Sequence, residues 1–367
     1  MSNARVRVAV LGAGGTIAPA IVRDLAESPE VGSMTLLDLD ATRAEQVARE
    51  HGDGKATAAR VDARAGDELP SAIEGHAVLV NTASYRINLE AMDACLRAGV
   101  NYLDLGGLYR MTLRQLELAP EFERAGLLAV LGIGSSPGKT NLMAARGVRE
   151  LGDGGIESIE VMAAGRDPAA PDDGRLRPPY AVQTLVDELT LAPVVLRDSR
   201  PVEIEPLTAG GPVDYGEPIG TAETIFTLHS ELATFGESFG CRECSFRLSL
   251  APALLERLEQ LADASADEIA AVAREAASPS NETVSVHLVS VRAGDGRHVT
   301  VRAITRPHFG LGGSIVSTAT PAAATVRLLA RGSLPATGVH PPERCIEPDE
   351  MFVELEQRGC SFSLLSP

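Results

Sequence analysis

Short apolar runs alternate with helix-periodic stretches from the first residues onward. Val6–Leu11 is a β-branched run of the kind that fills the middle of a sheet, and after it Ile17, Ile21, Val22 and Leu25 recur at the spacing of an amphipathic helix. Strand-like runs follow at 34–37, 56–63, 76–83, 101–105 and 127–131, with helical stretches between them. One of those helices packs Ala91, Ala94 and Ala98 beside Leu89, Met92 and Leu96. Such alternation predicts an α/β fold, a parallel sheet covered by helices on both faces. After about residue 155 the alternation stops. Residues 165–180, rich in Asp, Pro, Gly and Arg, read as a loop, 182–191 as a helix, and several strand-like segments run up to residue 252. An acidic, Ala-rich helical stretch at 254–277 and a hairpin at 283–304, turning on Gly294-Asp-Gly296, complete a second domain of α+β type.

The first turn carries chemistry. Gly12-Ala-Gly-Gly-Thr-Ile-Ala18 joins the first strand to the first helix, and Asp38 ends the second strand where a dinucleotide-binding βαβ unit has its ribose-binding acid. Glycine at 12 permits a tight turn, and glycine at 14 lets the main chain approach a pyrophosphate. The start of the following helix attracts that charge through its amides and dipole. We therefore expect a Rossmann, doubly wound parallel sheet that holds a cofactor at Gly12, Gly14, Gly15, Thr16 and Ile17. Ile17 stands where the strict G-x-G-x-x-G spacing has its third glycine, and the small residue Ala18 arrives one place late. Asp38 can accept from a ribose diol and repels a 2′-phosphate, and no Arg or Lys follows within four residues, so NAD is preferred. Arg43, at the next turn, keeps NADP possible. Asp62, Asn81, Thr82, Ala83 and Gly106 lie at or near the carboxyl ends of later strands, where an open parallel sheet binds ligands. Asn81 and Asp104 are candidates near the nicotinamide end, with capping of the next helix as the other reading for both.

Composition narrows the partners. Apolar residues make up 44% and charged ones 23% of the 367 residues, enough for two hydrophobic cores. Lys and Arg number 33 against 50 Asp and Glu, a net charge of −17, and aromatics are 4% with no Trp. Phosphate backbones and anionic lipid are repelled and platforms for stacking bases are few, so neither nucleic acid nor membrane is expected as a partner. No apolar run approaches bilayer length and the chain opens straight into a strand-like segment, which points to the cytoplasm. Five cysteines, an odd number, fit a reducing compartment. Cys241 and Cys244 form a C-x-x-C, but on a strand their thiols would point apart, so we read them as strand residues and expect no metal.

Gly138-Lys139-Thr140 looks like the end of a phosphate-binding P-loop. The upstream glycine that motif requires falls on Ile133, with Gly132 and Gly134 both out of register. A better account makes Ser136 a helix cap and Pro137 the first helical residue, with Gly138, Lys139 and Asn141 presenting amides and charge to a substrate carboxylate. A solvated lysine is the alternative. Farther on, residues 223–234 contain Thr227, His229 and Glu231. On a strand these three share one face, opposite Phe226 and Leu228, so that a base and an acid are neighbours. A hydrogen-bonded structural histidine is the competing reading.

Gly12-Ala-Gly-Gly15, Asn101-Tyr-Leu-Asp-Leu-Gly-Gly107, Leu131-Gly-Ile-Gly-Ser-Ser-Pro-Gly138 with Thr140-Asn141, Thr227-Leu-His-Ser-Glu231 and the ending from Thr320-Pro321 to Gly359 resemble the saccharopine dehydrogenase family. The likeness is nearest to its shorter, lysine 6-dehydrogenase-like members. It implies a Rossmann domain over 1–133, a substrate and dimerisation domain over 134–317, and a carboxy-terminal segment, 318–367, that returns to the Rossmann domain. Residues 321–329 suit a docking helix there. The resemblance further implies a homodimer and NAD(P)-linked oxidation at the CH–NH or CH–NH2 group of an amino acid, or the reverse reduction of an imine. For that reaction His229 is our first choice to hold the departing proton, because its ordinary pKa lies near working pH. Glu231 would support it or orient the ammonium group, Asp104 is the alternative base, and Arg247 joins the start of the helix at 138–141 as a carboxylate ligand. Ile17 and the acidic stretch at 254–277 depart from the family's pattern. A reductive condensation of an amine with an aldehyde or keto acid, and a dinucleotide sensor without turnover, are the competing functions.

Overall fold

The alternating runs of the first half become six strands: β1 (Val6–Leu11), β2 (Val31–Asp38), β3 (Ala56–Arg60), β4 (Val78–Asn81), β5 (Asn101–Asp104) and β6 (Leu128–Val130). In this computed structural model they lie side by side in the order β6-β5-β4-β1-β2-β3, every neighbouring pair parallel. The described residues are 5–170, 175–262, 264–334 and 337–365. Residues 171–174 of the expected loop, residue 263 of the acidic stretch, and 335–336 and 366–367 of the terminal segment lie outside them. The chain divides into two compact units, Met1–Lys139 with Thr318–Glu354, and Thr140–Ser317 with Leu355–Pro367.

In the first unit the strands are apolar on both faces because helices cover both. Val8, Ala9, Val10, Val78, Leu79 and Val80 are wholly sealed, and helix Ala18–Glu27 buries Ile21, Val22 and Leu25 against the sheet. The strand order reverses between β1 and β4, which places a crevice at the carboxyl ends of those two strands. Asp62 lies two residues beyond β3, which ends at Arg60. Late in the chain, helix Gly313–Arg331 carries Arg327 into this unit, where the guanidinium is 1% exposed. It bonds Asp24 and Glu354 at 2.7 Å each and the Ser28 hydroxyl at 3.0 Å.

The second unit is a mixed sheet built from β7 (Ile156–Arg166), β8 (Val194–Arg197), β9 (Arg200–Glu203), β10 (Ala209–Asp214), β11 (Thr221–Phe226), β12 (Glu243–Ser249), β13 (Val284–Ala293) and β14 (His298–Thr305). β12 and β7 run parallel, the other pairs antiparallel, and β13 and β14 form the expected hairpin. Helix Val182–Thr190 packs Leu185, Val186 and Leu189 against Leu258 and Ile269. The stretch 254–277 is thus two helices, Pro252–Glu259 and Ala266–Glu275, rather than one.

Four expectations are corrected. First, the terminal segment does not return whole to the first unit: β15 (Gly338–His340) adds to β6 there, but β16 (Cys360–Leu365) pairs with β14 in the second. The first boundary also falls after Lys139 rather than residue 133. Second, 227–231 is not strand, because β11 stops at Phe226 and helix Glu231–Phe239 begins at Glu231. Third, Ser136 caps nothing. Helix Lys139–Leu151 starts beyond Pro137, at a Gly138 with φ of +121°, and the Ser136 hydroxyl finds no partner among the described residues. Fourth, the Cys241 and Cys244 thiols do not point apart. Cys241 precedes β12, so strand alternation does not apply to it, and the Cys244 thiol beside it lowers the Cys241 pKa.

Candidate active site

The turn after β1 is fixed by two glycines. Gly12 has φ of +79°, and a Cβ there would lie 2.6 Å from the Ala83 amide nitrogen. At Gly14 a Cβ would lie 2.9 Å from the Arg43 Cβ. Both positions therefore exclude side chains and keep the main chain open to an incoming group. The Gly14 amide donates to Asp38 Oδ2 at 2.8 Å and the Asp40 amide to Oδ1 at 2.9 Å, which aims the carboxylate at the turn. Thr82 donates to the carbonyls of Leu11 and Gly12 at 2.8 and 3.0 Å, tying the β4 end to the same turn. Gly12, Gly14, Asp38, Thr82 and Ala83 are thus one constellation. Gly15 and Thr16 are exposed beside it, whereas Ile17 is buried and begins the helix, so its departure from glycine is absorbed by core packing. Asp62 accepts from the Arg64 amide at 3.0 Å.

Asp104 is buried at the end of β5, and its carboxylate accepts from Gln115 and the Gly132 amide at 2.6 Å, the Gly106 amide at 2.9 Å and Asn88 at 3.2 Å. Burial pushes its carboxyl up, while these donors pull it back. Asn81 belongs to the same network, donating to Asn88 at 2.9 Å and Tyr102 at 3.2 Å and accepting from the Ala83 amide at 3.1 Å. Both side chains are occupied in fixing the loops that follow β4 and β5.

The second unit holds a different arrangement. His229 lies between two carboxylates, with Nε2 at 3.7 Å from Glu188 Oε1 and Nδ1 at 3.5 Å from Glu231 Oε2. The Phe246 ring covers one imidazole face, centroids 3.4 Å apart and planes within 16°. Glu231 Oε1 accepts from the Thr140 hydroxyl at 2.8 Å, and Glu188 Oε2 from the Tyr180 hydroxyl at 2.5 Å. The two His229 contacts are ion-pair distances rather than directed hydrogen bonds, and among the described residues neither ring nitrogen nor Glu231 Oε2 has a hydrogen-bond partner. Burial opposes the imidazolium, but the two carboxylates outweigh it and raise the His229 pKa. At Glu188 burial dominates over the pull of His229 and Tyr180, and the carboxyl is pushed up to about 6. Groups perturbed in this way by burial and a specific partner are functional candidates.

His229 and Glu231 are brought together as expected, by a strand end and a helix start. Arg247 is not part of the cluster. It alternates with Phe246 on β12 and so points to the other face, bonding the Gly210 carbonyl at 2.9 Å and facing Glu160 at 3.4 Å. Gly138, Lys139 and Asn141 stand at the start of the 139–151 helix, and Lys139 is buried, which rules out the solvated reading. Sequence reasoning missed Glu188 and Tyr180. The available signal was an acid in a helix whose neighbours Leu185 and Leu189 are core residues. Among the described residues no group of three or more His, Cys, Asp or Glu is placed to hold a metal ion.

The parallel sheet with its glycine turn defines a dinucleotide-binding protein of Rossmann type, and the residues at the turn fit such a cofactor. Residues 8–130 match the model of the saccharopine dehydrogenase NADP binding domain, so the first unit is similar to the cofactor-binding domain of that family and supports an NAD(P) cofactor. The resemblance read from the motifs is borne out. A curated relative, the carboxyaminopropylagmatine dehydrogenase of Synechocystis sp., is 26% identical over 235 residues, 62% of this chain and 57% of that protein. The match spans little more than half of that relative's length. Among solved structures, the saccharopine dehydrogenase (L-Glu forming) of Saccharomyces cerevisiae has a TM-score of 0.74 at 15% identity, covering 99% of this chain and 100% of that one. That likeness shows the shared fold. Among the described residues no helix is long and apolar enough to cross a membrane.

Proposed function

We propose that the chain is an NAD(P)-linked oxidoreductase acting on the CH–NH or CH–NH2 group of an amino acid, in the manner of the lysine 6-dehydrogenase-like members of its family. The observation that carries this reading is the sealed imidazole between two carboxylates, in a chain whose other unit has a dinucleotide turn. Interconverting an amine and an imine needs both a hydride carrier and a proton handler. The nicotinamide, when bound, supplies the hydride chemistry. The amides of Thr16 and Ile17 at the helix start would receive the pyrophosphate, approached across Gly12 and Gly14, and Asp38 the ribose diol, which supports NAD over NADP. His229 holds the proton that the amine must lose before its carbon can give up a hydride. Glu231, anchored by Thr140, keeps the imidazole oriented. Gly138, Lys139 and Asn141 would face the substrate carboxylate; Arg247 is committed to Gly210 and Glu160. Asp104, filled with donors, acts as a positioning residue for the loops after β4 and β5.

One observation favours the reductive direction, and with it the condensation of an amine with an aldehyde or keto acid. Two carboxylates favour the charged form of His229, and an imidazolium can protonate an imine nitrogen. Five buried free thiols support a reducing, cytoplasmic setting, and homodimerisation belongs to the same family-based reading. Calorimetric titration with NAD and NADP, followed by turnover assays in both directions over basic and acidic amino acids, tests the proposal. Tight binding with no turnover on any of them would leave the sensor instead.

A further inference from the structure

The two carboxylates beside His229 differ in where they lead. Glu231 is fully sealed and its second oxygen ends at the Thr140 hydroxyl. Glu188 passes instead to Tyr180, a half-buried residue whose hydroxyl lies 2.5 Å from Oε2. Phe246 closes one imidazole face. Two carboxylates around one imidazolium also leave an excess negative charge in a dry site, and an additional proton on one of them relieves it.

We propose that Glu188 is a positioning residue that exchanges the proton of His229 with solvent through the hydroxyl of Tyr180. The inference deepens the amine-oxidation reading and rests on it. In the outward direction the 3.7 Å gap between His229 Nε2 and Glu188 Oε1 closes to hydrogen-bond reach, and the Nε2–H bond breaks as an O–H bond forms on Glu188. The Glu188 carboxyl then turns to bring that proton to Tyr180 Oη while the tyrosine's own proton leaves to water, so that tyrosine ends neutral and Glu188 a carboxylate. The inward direction is the reverse and recharges an acid for imine reduction. Glu188 faces His229, Tyr180, Glu231 and Asp187, so these set its titration together.

The test uses the full chain and two near-isosteric variants, Glu188→Gln and Tyr180→Phe. Carboxyl and imidazole resonances of the cofactor-free protein are titrated by NMR, and kcat and KM are followed against pH. We expect a buried glutamate titrating near 6 in the parent protein and absent in Glu188→Gln. Both variants should lose on the order of tenfold in kcat with KM held, and Glu188→Asp should recover part of it. A parent protein without that titration, or variants that keep the parent kcat and pH profile, overturns the inference. A titrating Glu188 in a protein that turns over no amine or imine overturns the amine reading alone, since the titration requires neither substrate nor cofactor.

Discussion

Asp104 in the first unit and Glu188 in the second are both buried carboxylates, and they are treated in opposite ways. Asp104 receives donors from four separate residues, so its charge is dispersed over a rigid frame. Glu188 has one hydroxyl and an imidazolium beyond hydrogen-bond reach. Arg327 comes nearer the first pattern, its Nε and Nη1 bonded to Glu354, Asp24 and Ser28, while Nη2 has no hydrogen-bond partner among the described residues. A satisfied buried charge specifies structure, whereas an under-satisfied carboxylate takes up a proton near working pH and can pass it on.

The largest effect should come from breaking the satisfied type. Arg327→Met leaves Asp24 buried without its cation and takes one of two from Glu354, which keeps Arg331 at 2.6 Å, and should cost about 3–5 kcal/mol, read as a lower urea midpoint. A loss below about 1 kcal/mol would mean that the network is as dispensable as a surface pair. Next, His229→Ala should lower turnover by about a hundredfold or more, with cofactor affinity unchanged because the cofactor turn belongs to the other unit. Unchanged turnover in a folded variant removes His229 from the chemistry.

The under-satisfied type should announce itself in stability against pH. Folding raises the Glu188 carboxyl from 4.5 to about 6, so the folded protein holds that proton more tightly than the unfolded chain. The stability this supplies is complete below about 4.5 and is lost as pH rises through 6, an effect of roughly 2 kcal/mol. His229, also raised on folding, adds a loss in the same direction at higher pH. Resistance to thermal unfolding should therefore fall between pH 4.5 and 7, and Glu188→Gln should flatten the lower part of that slope. A parent stability that rises across this range would contradict the assignment.

Much of the first unit was legible because its signals are local. Gly12, Gly14 and Asp38 lie within one βαβ unit, and strand spacing alone located Asn81 and Asp104. What Asp104 does was not legible, since Asn88, Gln115 and Gly132 reach it from three segments that only the fold assembles. His229 and Glu231 were visible as a pair but misplaced on a strand. Ser230 ahead of Leu232 and Phe235 was a helix-start signal that the strand reading passed over. Glu188 was hidden because a helix pattern says which face is apolar and not which distant residue an acid on it will meet. Cys360–Leu365 alternates like a strand, but its partner β14 is a long-range choice that no local pattern states.

Asp38 stands between the two extremes, half-exposed but held by two amides, and it offers the smallest and most specific test. Asp38→Asn keeps an oxygen to accept from a backbone amide and removes the charge that repels a 2′-phosphate. Arg43, whose Cβ borders the Gly14 turn, is then free of a competing carboxylate at that position. The ratio of NAD to NADP affinity should fall by about tenfold, close to 1.4 kcal/mol, with little change in unfolding midpoint. If both affinities drop equally, the carboxylate supports the turn and does not choose the cofactor, and Asp38 would join Asp104 among residues whose charge is structural. If only the ratio moves, the first unit also contains a carboxylate kept for recognition, and the division between the two units is one of hydrogen-bond saturation rather than of location.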